Sequence, residues 1–381
     1  MTAREPRIDI IRGFSIIVIL VNHLTHVVEF GGLQDWMVPT PTRYGYSTAS
    51  ELFVILSGYM VGMVYLARAR PMRTAWRRAA RLWAYNAAML TLILPLVALM
   101  PRPEQEFWRL ASFVASPGKS VWTFLTLGDA PRLLDILQIY IRLMLIAPVA
   151  IWIHRRSPVA AIAASIGLYA LGQILTIQRL SISPDMATYG TLDLLSWQML
   201  FFVPMALGAK RIHVPLFRWL EGNRAMLVLL LALFATGAVV KQLQMAGILA
   251  QPQWLTDRYG LHLLRVAHAI LVLMLYASAL SLAGRFLRKW PLDTIGAIGR
   301  HSLDCYAAGV LATYGLGFLW ERTGGGYPAY YFFVVLGICL TMVLANLLDE
   351  RRDRIRSRSA ALPTARMAVA GPSGMGDGPL R

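Results

Sequence analysis

Eleven ionisable side chains interrupt the apolar runs of this chain: Asp9, Arg12, His23, His26, Glu51, Asp135, Arg142, Asp193, His262, Arg265 and His268. Their types suit proton transfer and anion binding. An imidazole exchanges a proton near physiological pH, and a guanidinium keeps its charge while gripping a carboxylate or phosphate with two parallel hydrogen bonds. Arg12 and His23 stand eleven positions apart. On a helix that spacing returns the side chains to within about 20° of one face, about 16 Å apart along the axis, so both can line one passage. Glu51 is placed to orient His23. Asp135 and Arg142 share a helix face two turns apart and read equally well as a structural ion pair or as part of an acceptor site. Asp9 and Arg12, three apart, also fit an intrahelical pair at the helix end, and His26, His262 and His268 fit hydrogen-bonded packing roles.

Other chemistries find no support. Ser57, in ELFVILSGYMVG, lacks the small-residue spacing of a nucleophile elbow, and Gly58 and Gly62, four apart, suit close helix contact instead. There is no Walker loop, dinucleotide-binding glycine pattern, HExxH or Cys-His spacing, so no metal site, permanently bound cofactor or ATP-driven step is expected. Cys305 and Cys339 both lie in apolar stretches, which excludes a disulfide framework.

Lipid must surround the elements that position these groups. Of 381 residues, 57% are hydrophobic and 15% charged, and the mean hydropathy is +0.53; soluble domains carry about a quarter charged residues. Apolar runs bounded by charges, Pro and Gly predict about ten transmembrane helices near 8–29, 48–67, 79–100, 132–154, 159–177, 193–210, 225–244, 260–283, 303–321 and 328–349. The expected fold is therefore all-α and polytopic, with a helical membrane domain over 1–350. A basic tail begins at 351 and is expected to become disordered through its Ala, Gly, Pro and Ser content. The first run is too long for a signal peptide, contains Arg12 and has no small-residue cleavage pattern after it.

Lys and Arg total 37 against 20 Asp and Glu, for a net charge of +17. Nearly all basic clusters fall on alternate connections, including 68–81, Arg155-Arg156, 210–224 and 285–300, which predicts both termini on the cytoplasmic side. That asymmetry accounts for the charge as an orientation signal plus anionic-lipid contact, without nucleic acid. A central Asp, Lys or Arg costs roughly 2.5–3.5 kcal/mol in a bilayer, so the buried ionisable groups should face a cavity. By this topology most of them form an outward-facing vestibule. The stretch Pro101–Pro131, with Phe107, Trp108, Phe113, Trp122 and Phe124, suits an interfacial segment roofing it.

RIDIIRGFSIIVILVNH at 7–23 and SELFVILSGYMVGMVY at 50–65 resemble the OpgC-like membrane proteins, named for succinylation of osmoregulated periplasmic glucans. DILQIYIRLMLIAP at 135–148, SWQMLFF at 196–202 and IGRHSLDCYAAGVL at 298–311 extend the resemblance. The chain is also similar to the wider acyltransferase-3 group, whose first span carries an Arg, ten intervening residues and a His, as at Arg12 and His23. The resemblance implies a bacterial inner-membrane O-acyltransferase that carries an acyl group, succinyl in the namesake chemistry, from cytoplasmic acyl-CoA as co-substrate to a glucan hydroxyl outside. It gives His23 the catalytic role, as base or acyl carrier, and Arg12 the acyl-CoA or the reaction centre. A succinyl carboxylate would need a cation, for which Arg142 and Arg265 are candidates. A secondary transporter or glycan flippase is the competing class, since ten helices with buried charges also suit a translocation path. A scaffold for glucan-synthesis partners is the third.

Overall fold

A computed structural model describes residues 5–182, 192–251 and 256–368. Among these residues every regular element is a helix. In chain order the principal helices are α1 (Pro6–Phe30), α2 (Ala49–Tyr65), α3 (Pro71–Val97), α4 (Asp135–Arg156), α5 (Pro158–Ile182), α6 (Met199–Ala209), α7 (His213–Glu221), α8 (Arg224–Met245), α9 (Leu263–Ala283), α10 (Leu292–Arg300), α11 (Ser302–Arg322) and α12 (Tyr327–Ala368). A helix stands at each of the ten expected positions, yet only seven of them are long and apolar enough to cross a bilayer unaided. The bent pair Leu194–Ala209 and His213–Glu221 makes an eighth if taken as one span. α2 is 17 residues long, short of the about 20 that a straight span needs. The protein is a polytopic helical membrane protein.

Local chemistry sets the helix ends nearest the cavities. Pro6 occupies the first turn of α1, and the Glu5 carboxylate accepts from Arg7 N at 3.3 Å, filling a donor position the helix leaves open. In α2 the Glu51 carboxylate reaches back to Thr48 N at 2.9 Å, the reciprocal half of a capping box. α12 runs on to Ala368. The segment after Arg358, expected to be disordered, is thus helical as far as Ala368, and 369–381 lie outside the described residues.

α1 is the hub and mostly buried, whereas α8 is almost wholly exposed and sits at the periphery. α1 packs against α10, α11 and α2, and α2 packs along α6. Glycine makes the tightest approaches possible: a Cβ on Gly58 or Gly62 would meet the carbonyls of Phe201 and Met205, and one on Gly13 or Gly299 those of Ile295 and Asp9. The expected close contact at Gly58 and Gly62 is therefore the α2–α6 seam. Between α3 and α4, three short helices, Arg102–Phe107, Ala111–Ala115 and Pro117–Leu125, bury Trp108, Phe113 and Phe124 and leave Trp122 exposed. The Trp108 carbonyl accepts from Arg132 N at 3.0 Å, and Arg132 and Leu133 line a cavity.

Candidate active site

Two polar cavities lie end to end along the same helices. One, of about 150 Å³, is lined by Asn22, His23 and His26 of α1, by Thr48 to Ser50 at the start of α2, by Asp135 and Ile136 of α4, by Tyr306 of α11, and by Arg132 and Arg258 from connections. The other, of about 350 Å³, is lined by Arg12 of α1, Ser57 to Tyr65 of α2, Arg78 and Arg81 of α3, Tyr140 of α4, Arg300, and His301 to Asp304 leading into α11. α1, α2, α4 and α11 each contribute to both. Arg12 and His23 thus share one helix and both face cavities, although different ones.

An aromatic layer divides the two. Phe53 is buried; its ring lies 5.7 Å from that of Tyr306, which lines the histidine cavity, and 6.0 Å from that of Tyr140, which lines the arginine cavity. The continuous passage expected from the Arg12–His23 spacing is therefore two chambers with a septum. The Tyr306 hydroxyl donates to the Leu133 carbonyl at 2.8 Å, and Tyr140 lines the arginine cavity together with Arg78. Tyr306 is thus anchored on the histidine side of Phe53.

The arginine cavity carries an excess of positive charge. Four guanidiniums, Arg12, Arg78, Arg81 and Arg300, face it against the carboxylate of Asp304. Arg12 donates to Ser302 Oγ, Arg81 lies 3.6 Å from Asp304, and Arg300 donates through Nε to Asp349 at 2.9 Å. His301 Nε2 lies 2.9 Å from the other Asp349 oxygen. Asp349 thereby fixes two cavity-lining side chains, and Arg300, outside the long apolar helices, has its pKa raised: burial opposes its charge, and the Asp349 carboxylate outweighs burial.

In the histidine cavity, His23 Nδ1 is buried with no hydrogen-bond partner among the described residues, and so is Arg258 Nε. Arg258 is held by Asp135 at 3.3 Å. Burial works against its charge, and Asp135 with Glu51 more than offsets it, leaving its pKa raised. Asn22 accepts from Thr40 Oγ1 at 2.7 Å and donates to Thr42 Oγ1 at 2.9 Å, which fixes the turn of α1 that carries His23.

The remaining ionisable groups disperse into local roles. Glu51, expected to orient His23, is fully buried and accepts from Arg265 Nε at 2.9 Å; its oxygens are taken by Arg265, Thr48 and Ser50. Arg265 is consequently the counterion of Glu51, and Arg142 donates to the Leu127 carbonyl beside a separate small cavity with Asp135 and Arg109. The Asp135–Arg142 pair is replaced by Asp135–Arg258. His262 Nδ1 meets Gln173 Oε1 at 2.6 Å, His268 Nδ1 meets Ser47 Oγ at 2.7 Å, and Asp193 accepts from Ser196 N at 3.0 Å as a helix cap. His26 pairs with Glu29 at 3.2 Å. Arg258, Arg78, Arg81, Arg300, His301 and the septum rings were not singled out by spacing. Arg78 and Arg81 belong to the basic run used to orient the chain, Arg300 and His301 sit inside IGRHSLDC, and Arg258 is a single basic residue beside Asp257 in a connection.

An arginine chamber and a histidine chamber on shared helices, in a bundle with seven bilayer-length helices among the described residues, define a polytopic helical membrane protein with two adjoining polar cavities. Residues 4–353 match the family described as OpgC protein, and the chain belongs to that family. Membership places it among acyltransferase-like membrane proteins. No curated protein and no solved structure matches it.

Proposed function

We propose that this protein is a bacterial inner-membrane O-acyltransferase that moves an acyl group, succinyl by family resemblance, from cytoplasmic acyl-CoA to a hydroxyl of a periplasmic glucan. The observation that carries the reading is the pair of cavities on common helices, one ringed by four arginines and the other holding His23 beside Arg258. In this reading both termini and the arginine cavity face the cytoplasm, where basic residues concentrate. Arg12, Arg78, Arg81 and Arg300 would hold the phosphates of CoA through charge-assisted hydrogen bonds. The acceptor enters the histidine cavity from outside. His23 Nε2 takes the proton of the acceptor hydroxyl as its oxygen attacks the thioester carbonyl; the carbon–sulfur bond breaks, and the proton passes to the departing CoA thiolate. A positioned base of this kind contributes about 10²- to 10⁴-fold in rate. A route through acyl-His23 uses the same two chambers, with imidazole rather than hydroxyl attacking first. Arg258 supplies the positive charge beside His23 that Arg142 and Arg265, committed elsewhere, do not. Asp135 serves by holding Arg258, and Glu51 with Arg265 by fixing the start of α2 where it lines the cavity.

Two chambers closed from each other by a thin layer also suit alternating access, so the test separates transfer from transport. Proteoliposomes receive radiolabelled succinyl-CoA on one side and glucan on the other. Label covalently attached to glucan, lost in His23→Ala with insertion intact, supports transfer. Unmodified glucan or free label crossing the membrane would establish transport instead, and full labelling by His23→Ala would remove the assigned chemistry.

A further inference from the structure

A third cavity, about 390 Å³, shares no lining residue with the two polar ones. α6 and α9 wall it, through residues such as Val203, Leu207 and Ile270, with α1 and α2 beneath, and Leu216 and Phe217 of α7 closing one end. Its lining is apolar apart from Tyr59 and His213, and those two satisfy each other: the His213 backbone N donates to the Tyr59 hydroxyl at 3.0 Å, and that hydroxyl also meets His213 Nδ1. A polar substrate would find no partner there, whereas the volume suits a small-molecule or chain ligand.

The end of the crevice is different in kind. The chain bends by 83° between Leu194–Ala209 and His213–Glu221, so α7 crosses the direction of α6. Lys210 and Arg211, both exposed, lie at this bend between the lining residues Leu207 and Ile212. Arg218 is exposed on α7 next to Trp219, which is 47% exposed, the pairing of cation and indole found at a membrane interface. Ile8 and Ile11 also line the crevice, which puts it toward the same end of α1 as Arg12.

We infer that this crevice is a binding site for one acyl chain of an anionic glycerophospholipid, with the chain against Val203, Leu207 and Leu216 and the phosphate at Lys210 and Arg218. The occupant follows from the combination: an interior whose two polar groups satisfy each other accepts hydrocarbon, cations at the bend and on α7 select a negative headgroup, and the surface helix sets the depth at which the two meet. The site is independent of the acyl-transfer reading.

Native mass spectrometry of the detergent-purified full chain, titrated with phosphatidylglycerol or phosphatidylcholine of identical chains, tests it. One phosphatidylglycerol should remain bound at activation energies that strip phosphatidylcholine. Val203→Trp and Leu216→Trp, which fill the crevice from a side wall and from its closed end, should each lose that bound lipid, while Leu229→Trp on exposed α8 keeps it. Lys210→Glu with Arg218→Glu should remove the preference between headgroups. Equal retention of the two lipids by the wild type, or phosphatidylglycerol retention unchanged in either filled variant that elutes as a monodisperse protein, would overturn the inference. Should one filled variant fail to fold, the other decides.

Discussion

The Glu51–Arg265 pair gives the most quantitative test of how the histidine cavity is held. Glu51 is fully buried and Arg265 is 7% exposed, so removing either partner strands a charge away from water. Such a loss costs about 3–5 kcal/mol. Glu51→Leu also removes the acceptor for Thr48 N, adding about 1 kcal/mol for the helix cap. The expected losses are therefore about 4–6 kcal/mol for Glu51→Leu and about 3–5 kcal/mol for Arg265→Leu. The double variant leaves no orphaned charge and should lose little beyond the cap, about 1–2 kcal/mol. Reversible unfolding in mixed micelles, run as a double-mutant cycle, should return a coupling of several kcal/mol. Additivity to within about 0.5 kcal/mol would refute the pairing. The same cycle separates support from chemistry: acyl transfer surviving in the double Leu variant assigns Glu51 to support, and its complete loss in a stable double variant would give Glu51 a chemical role.

Three further outcomes follow from particular contacts. Phe53→Ala removes the ring between the chambers at a cost of about 3–5 kcal/mol, and should raise acceptor-independent CoA release in a proteoliposome thiol assay; release held at the wild-type rate would show that the ring does not separate them. Arg78→Ala should raise KM for acyl-CoA roughly 10- to 100-fold with kcat little changed, the loss of one charged hydrogen bond of about 1.5–3 kcal/mol; an unaltered KM would move the phosphate site elsewhere. Gly58→Ala drives a Cβ into the Phe201 carbonyl and should lower the unfolding free energy by about 1–3 kcal/mol, whereas an unchanged melt would show that the α2–α6 seam relaxes freely.

The helices were legible because apolar runs bounded by Pro, Gly and Arg need no tertiary knowledge, and the Gly58–Gly62 seam because four-residue spacing of small residues has one strong packing use. Partner choice was not. Asp135 and Arg142 do share a helix, but Arg258 approaches Asp135 from a connection more than a hundred positions away, and nothing in either local sequence encodes that meeting. The Thr48-x-x-Glu51 spacing is a local capping-box signature, but the Arg265 partner that takes Glu51 away from His23 lies 214 positions off and is set by three-dimensional approach. Phe53 was hidden for the opposite reason: among so many buried aromatics, only the cavities on either side of it distinguish its position.

The thinness of the aromatic layer has an electrical consequence. On α4, Ile136 borders one chamber and Tyr140 the other, a rise of about 6 Å against a hydrocarbon core of about 30 Å. Water reaching both chambers would compress most of the transmembrane voltage into that short interval. Each elementary charge carried across it then exchanges about 2.3 kcal/mol per 100 mV with the membrane. In the proposed transfer of an acyl group ending in a free carboxylate, an interior-negative cell would drive the outward crossing, and the resting voltage itself would become part of the driving force for delivery.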